Sequence, residues 1–192
     1  MPVTDALAPL RAHAGRRRTT GLDDATIERL AASHPDLREA IDAAAAEYAQ
    51  AASAFVDLLD LDEDAQIAAV QAGYVNFYPT DAVNPYVALT ARGPWIVTLK
   101  GAVVHDSGGY GMLGLGHAPK AVLEAMAKPQ AMANVMTPSL SQLRFDRAMR
   151  REIGHTRGEC PFARFLCLNS GSESVGLAAR IADINSKLMT DP

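Results

Sequence analysis

The chain has 192 residues, of which 48% are hydrophobic and 21% charged, so it can bury a sizeable core and wholesale disorder is disfavoured. A formal net charge of -4 argues against a surface built to attract nucleic acid. The two cysteines, Cys160 and Cys167, form no C-x-x-C pair, which disfavours a zinc site and favours a reduced, cytoplasmic protein. No apolar run reaches the roughly 18 residues of a membrane-spanning helix, and the N-terminus lacks the apolar core of a secretory signal. We therefore expect neither a membrane nor nucleic acid as a partner.

Residues 1–75 are patterned for helices and are interpreted as a helical N-terminal extension. The Arg16, Arg17, Arg18 triplet is interpreted as a solvated, partly disordered arm rather than a targeting element, since nearby acidic residues dilute its charge. Ser33, Pro35 and Asp36 predict a helix start, and a second helix is predicted from Glu63 to Ala72. One apolar stripe follows the first of these helices, at Leu37, Ile41, Ala45, Tyr48, Ala52, Phe55, Val56 and Leu59. Because the stripe is thin, the long helix needs a partner surface, either in its own domain or in another subunit.

Residues 76–138 change to an aromatic, proline-rich and β-branched texture. Two short strands, Trp95 to Leu99 and Ala102 to His105, predict an antiparallel hairpin that turns at Lys100 and Gly101. The glycine-rich run DSGGYGMLGLGH follows, but it does not fit a dinucleotide fingerprint. Its lone histidine, His117, is interpreted as a cap or packing residue.

A helix is predicted from Pro119 to Lys128, and residues 139–192 form the next section of the chain. An amphipathic helix is predicted from Ser139, and the apolar run RFLCLN predicts a buried strand that leads directly into another helix. The order helix, strand, polar turn and helix is typical of the start of an α/β layered domain.

The turn Asn169 to Glu173, with the sequence NSGSE, lies between that predicted strand and helix. Ser170 and Glu173 match the S-x-x-E capping box. The first turn of a helix carries unpaired N–H groups and the positive end of the helix dipole, so a phosphate is a natural ligand there. A plain helix cap without a ligand explains the same pattern. Neither Ser170 nor Ser172 lies in a G-x-S-x-G nucleophile motif.

The order of these motifs is similar to that of one enzyme family. The run NSGSESVGLAARIA resembles the NSGSEAxxxAxxxAR segment of class III aminotransferases, which are pyridoxal-phosphate enzymes of fold type I. The upstream GYGMLGLGHAPKAVLEAM resembles the glycine-rich loop and GH-x-P element of the same family. The resemblance covers roughly Phe77 to the C-terminus.

This resemblance implies an α/β fold, namely the N-terminal part of a fold type I transferase. The expected parts are a helical extension, a small antiparallel hairpin within residues 76–138 of the small domain, and the first strand-helix unit of the cofactor-binding large domain in residues 139–192. The cofactor is pyridoxal 5'-phosphate, whose phosphate is expected on Ser170, Gly171 and Ser172. Tyr110 matches an aromatic position on the substrate side. A small-molecule amino donor, an oxo acid and a second subunit in a homodimer are the expected partners.

The chain departs from the family pattern at the catalytic lysine, for which it has no match. In relatives the lysine that forms a Schiff base with the cofactor lies far downstream of NSGSE, so it is expected beyond Pro192. The four lysines of this chain, Lys100, Lys120, Lys128 and Lys187, do not match that position. The sequence is therefore interpreted as an N-terminal fragment that is inactive alone. The alternatives are a racemase or aminomutase of the same fold, or a non-catalytic binding or oligomerisation protein.

Overall fold

The structure is a computed structural model of the 192-residue chain, and it describes residues 2–76, 78–108, 114–129 and 136–187. It is a mixed α/β structure, in which the described residues form eight α-helices and one three-stranded antiparallel sheet. The chain divides into two compact units, Met1–Lys128 and Pro129–Pro192, which are described separately below.

The first unit contains the sheet and six helices. Its helices are α1 (Ala8–Arg11), α2 (Asp24–Ala31), α3 (Pro35–Ala54), α4 (Val56–Leu59), α5 (Glu63–Gln71) and α6 (Lys120–Met126). Short 3-10 helices cover Val3–Leu7 and Thr80–Ala82. The strands are β1 (Ala88–Arg92), β2 (Trp95–Thr98) and β3 (Val103–His105), in the order β1-β2-β3.

The predicted hairpin of β2 and β3 is confirmed, with Ile96 opposite Val104. Gly101 in its turn has φ +70°, a backbone conformation that glycine adopts without a steric cost. The strand β1 extends the sheet on the other side of β2 and was not predicted, although its sequence ALTAR alternates in the way a half-buried strand requires.

The N-terminal helices and the sheet share one hydrophobic core. The helix α3 starts at Pro35, as predicted, but its cap residue is His34 rather than Ser33, whose hydroxyl donates to the Leu30 carbonyl oxygen instead. The long helix packs on β1 and β2, so its partner surface lies within its own unit. The core consists of Val3, Leu7, Leu10, Ile27, Ala31, Leu37, Ala40, Ile41, Ala44, Trp95, Val97 and Val103.

The buried stripe of α3 is shorter than predicted. The helix ends at Ala54, and Phe55 and Val56 are largely exposed. The short helix α4 begins directly after this break, with Leu59 buried again. The helix α5 matches the predicted Glu63 to Ala72 within one residue.

The second unit contains α7 (Leu140–Gly154) and α8 (Gly171–Asn185). Both helices were predicted from the sequence, and each begins with a complete capping box, at Ser139 with Gln142 and at Ser170 with Glu173. The first box was not predicted, although the S-x-x-Q pattern of Ser139 to Gln142 signals it.

The predicted strand before α8 is not formed. Residues 164–168 have no regular secondary structure, and Leu166 is 68% exposed. A strand needs a neighbour to satisfy its N–H and C=O groups, and the described residues of this unit provide none beside this segment. The prediction of a buried strand from the apolar pattern is therefore wrong.

Candidate functional site

Arg150 on α7 holds the segment that precedes the turn at the start of α8. Arg150 on α7 donates hydrogen bonds to the carbonyl oxygens of Phe162 at 3.0 Å and Ala163 at 2.8 Å, which fixes the segment leading to the turn. Asp146 accepts from the Arg150 Nε at 3.0 Å and raises the pKa of that guanidinium. The same guanidinium lies over the ring of Phe165, 5.3 Å from its centre. Arg150 thus links α7 to the chain that enters α8.

Ser170 and Glu173 make the reciprocal bonds of the capping box. The Ser170 hydroxyl oxygen accepts from the Glu173 N–H at 3.2 Å, while Glu173 Oε2 accepts from the N–H groups of Asn169 at 3.0 Å and Ser170 at 3.1 Å. Ser174 then donates to the Ser170 carbonyl oxygen at 3.0 Å. These bonds fix the orientation of the first turn without any ligand.

Gly171 and Ser172 are the first two residues of α8, and their N–H groups therefore have no acceptor within the helix. Both residues are exposed. A Cβ atom at Gly171 would meet no atom of the described residues within 4 Å, so the space beside these N–H groups is open toward the described chain. The turn therefore presents two backbone donors and the Ser172 hydroxyl to an anion, on the positive end of the helix dipole.

Two further residues, Tyr110 and His117, were considered from the sequence. Tyr110, expected on the substrate side, falls outside the described residues. His117, in the first unit, donates from its backbone N–H to the Gly93 carbonyl oxygen at 2.7 Å, and its Nε2 lies 3.0 Å from Asp106 Oδ2. The backbone contact holds the end of the glycine-rich loop against the turn between β1 and β2, and the side-chain contact joins it to Asp106 at the start of that loop. Both contacts lie at a cleft of about 490 Å³ that Asp36 also lines.

The four lysines are all placed in the described chain, and only Lys100 is buried. Its side chain donates from Nζ to the carbonyl oxygens of Ala14 at 2.7 Å, Leu59 at 3.1 Å and Gly15 at 3.4 Å. Burial lowers the pKa of this amine, while Asp60, Asp62 and Glu63 act in the opposite direction. Lys100 therefore stabilises the backbone at these three carbonyl groups. No pattern in the sequence predicts this role.

The segment of residues 13–19, here called the N-terminal strap, lies on the start of α5. Glu63 Oε2 accepts from the N–H groups of Arg18 and Thr19, both at 2.7 Å, and Asp62 Oδ1 accepts from the Arg16 N–H at 2.6 Å. The Arg18 guanidinium also pairs with Asp64 at 2.6 Å. The three arginines are exposed, as expected of a solvated arm, but the backbone of the strap is bound by Asp62 and Glu63 rather than being free.

In comparisons with known proteins, no protein-family model matches the chain, and no curated protein or solved structure matches it either. The described residues contain no group of three or more His, Cys, Asp or Glu side chains arranged to hold a metal ion. No described helix has both the length and the apolar character that crossing a membrane requires.

Proposed function

We propose that the chain carries the phosphate-anchoring N-terminal portion of a pyridoxal-phosphate-dependent aminotransferase of class III, with fold type I. The observation that supports this proposal is the turn at Ser170 to Glu173, where the family-like NSGSE sequence coincides with a capped helix start and an open Gly171. The proposal also includes the expected large domain, homodimer and cytoplasmic location.

The donors of the turn fit a phosphate group. Glu173 already occupies the N–H groups of Asn169 and Ser170, so the phosphate receives the N–H groups of Gly171 and Ser172 and the Ser172 hydroxyl. A dianion gains charge-assisted hydrogen bonds there in addition to the helix dipole. A side chain at position 171 would fill the space that the phosphate needs.

Each residue of the turn has a separate part in this proposal. Ser170 fixes the direction of the first turn, Gly171 leaves room for the anion, and Ser172 donates to it. When bound, pyridoxal phosphate supplies an electron-accepting ring for moving an amino group between an amine or amino acid and an oxo acid. Lys100 is engaged by three carbonyl oxygens, so its amine is not free to form a Schiff base with the cofactor.

The phosphate site is tested by nuclear magnetic resonance on the 192-residue chain. Pyridoxine 5'-phosphate is the probe, because it lacks the aldehyde that would react with lysines, and pyridoxine without phosphate is its control. We expect saturable shifts of the Gly171 and Ser172 amide signals with the phosphate compound only, and weaker binding by Gly171→Val. Shifts of equal size with both compounds, or none with either, would exclude the phosphate site.

The reaction is tested separately, on the natural gene product with any residues that follow Pro192. We expect loss of amine that depends on an added oxo acid. Isomerisation of a single substrate without an oxo acid would identify a racemase or aminomutase instead. Phosphate binding without either activity would favour a non-catalytic binding or oligomerisation protein.

A further inference from the structure

A second cleft, of about 770 Å³, lies in the first unit between α5 and the start of β1. The helix supplies Ile67 and Val70, and the segment before β1 supplies Val83 and Val87. Its volume falls within the range of roughly 300–1,000 Å³ that is typical of small-molecule sites. The cleft shares no described lining residue with the cleft beside His117.

The described side chains that line this cleft carry no formal charge. Charged residues make up 21% of the whole chain, so a lining without Asp, Glu, Lys, Arg or His selects against charged ligands. A charged group that left water for an apolar cleft without a partner of opposite charge would lose its hydration free energy. The occupant that the lining fits is therefore uncharged.

Polar side chains also line this cleft and can form hydrogen bonds with a ligand. The side-chain carboxamides of Gln71 and Asn84 line it and make no hydrogen bond within the part of the chain that the structure describes. A carboxamide donates and accepts hydrogen bonds, so these two groups suit an amide, a hydroxyl or a neutral carbonyl group. The phenol rings of Tyr78 and Tyr86 add flat apolar surface.

We propose that this cleft binds an uncharged small molecule with an aromatic or branched apolar body and a neutral hydrogen-bonding group. Ile67, Val70, Val83 and Val87 contact the apolar body, and the carboxamides of Gln71 and Asn84 orient the polar group. This site goes beyond the proposed aminotransferase function and does not depend on it.

Two fluorescent probes with the same rings test the proposal on the 192-residue chain. N-phenyl-1-naphthylamine is uncharged, and 1-anilinonaphthalene-8-sulfonate adds one negative charge to the same skeleton. We expect saturable binding of one equivalent of the uncharged probe, with an affinity at least tenfold higher than that of the sulfonate. Equal affinities, or no saturable binding of the uncharged probe, would overturn the proposal.

Variants locate the bound probe. Val70 is 46% exposed, so Val70→Asp puts a charge into the cleft without removing a buried side chain, and Val56→Asp makes the same change at an exposed position that does not line it. We expect at least tenfold weaker binding by Val70→Asp and a change of less than twofold by Val56→Asp. Val70→Phe, which fills the cleft without a charge, should also weaken binding and decides the matter if Val70→Asp does not fold.

The competing occupant is a second copy of the chain. Probe affinity that falls as protein concentration rises, together with a dimer that Val70→Asp dissociates, would show that a second copy covers the cleft. That result would overturn the small-molecule assignment, as would probe binding that neither variant of Val70 weakens.

Discussion

Lys100 in the β2–β3 turn donates a hydrogen bond from Nζ to the carbonyl oxygen of Ala14 at 2.7 Å, although 86 positions separate the two residues in the sequence. The lysine is 4% exposed, and its two further bonds go to the carbonyl oxygens of Gly15 and Leu59. One buried amine therefore joins the hairpin, the N-terminal strap and the end of α4.

Replacing Lys100 with methionine should leave these carbonyl oxygens without their donor. Because buried acceptors that lose a hydrogen bond cost about 1–3 kcal/mol each, we expect the free energy of unfolding to fall by about 2–4 kcal/mol. Urea denaturation of the 192-residue chain measures this free energy of unfolding. The control is Lys120→Met, at a side chain that is 89% exposed, which should change stability by less than about 0.5 kcal/mol. Equal effects of the two variants would contradict the buried role of Lys100.

Glu28 should make stability depend on pH in the acid range. It accepts hydrogen bonds from the Thr4 N–H and hydroxyl, both at 2.8 Å, and these bonds lower its pKa below the ordinary 4.5. A carboxyl whose pKa is lower in the folded state stabilises above the unfolded pKa, and this contribution is lost as pH falls through the folded pKa. We expect Glu28→Gln to be less stable than the unmodified protein at pH 6, and the difference to shrink below about pH 4.5.

Denaturant unfolding across that pH range measures the free energy of unfolding of Glu28→Gln and of the unmodified protein. The other carboxyls are the same in both proteins, so their contribution cancels in the difference. Glu47→Gln is the control, since the Glu47 side chain makes no hydrogen bond or ion pair within the described residues. A difference between Glu28→Gln and the unmodified protein that stays constant from pH 6 to pH 3 would refute the assignment.

Substitutions of Ser170 and Ser172 should affect two different properties, helix stability and phosphate binding. Ser170→Ala removes the acceptor of the Glu173 N–H, and a lost cap of this kind costs about 1 kcal/mol. Ser172→Ala should leave the helix intact, because alanine favours helix at least as well as serine does. It should weaken pyridoxine 5'-phosphate binding about fivefold, the effect of one lost hydrogen bond of ~1 kcal/mol.

Amide hydrogen exchange of α8 measures the first effect, and titration of the phosphate compound measures the second. If Ser172→Ala loosened the helix as much as Ser170→Ala, the capping box would not be the source of its stability. If Ser172→Ala bound the phosphate compound unchanged, the hydroxyl would have no part in the site.

Gly116 should not tolerate alanine. Its φ is +74°, and a Cβ atom would lie 2.8 Å from the Cα of Gly93, with all three of its nearest atoms in the Gly93 backbone. Positive φ and the clash together should cost about 2 kcal/mol of folding free energy and break the pairing of Gly93 with His117. Gly108→Ala is the matched control, since no atom of the residues that the structure describes lies within 4 Å of its Cβ position. Thermal unfolding of both variants decides the prediction, and it fails if they melt alike.

The sequence predicted local structure better than long-range pairing. Ser170 with Glu173, and Lys100 with Gly101, are signals within four residues, and the helix start and the hairpin turn were found from them. The strand expected at 164–168 depends on a neighbour that no local pattern specifies, and the strap depends on acidic residues more than 40 positions away. Candidate donors for a phosphate could therefore be named from the sequence, whereas the role of Lys100 and the cleft beside α5 could not.

The hydrogen bonds that join Arg11 and the N-terminal strap to the hairpin have a consequence for the order in which the first unit folds. Arg11 donates to the Gly101 carbonyl oxygen across 90 positions, and Lys100 holds Ala14 across 86. Contacts with such separations form only after a long loop has closed, which slows folding. During synthesis the strap leaves the ribosome before the hairpin, so it reaches its final place only after the hairpin has been synthesised.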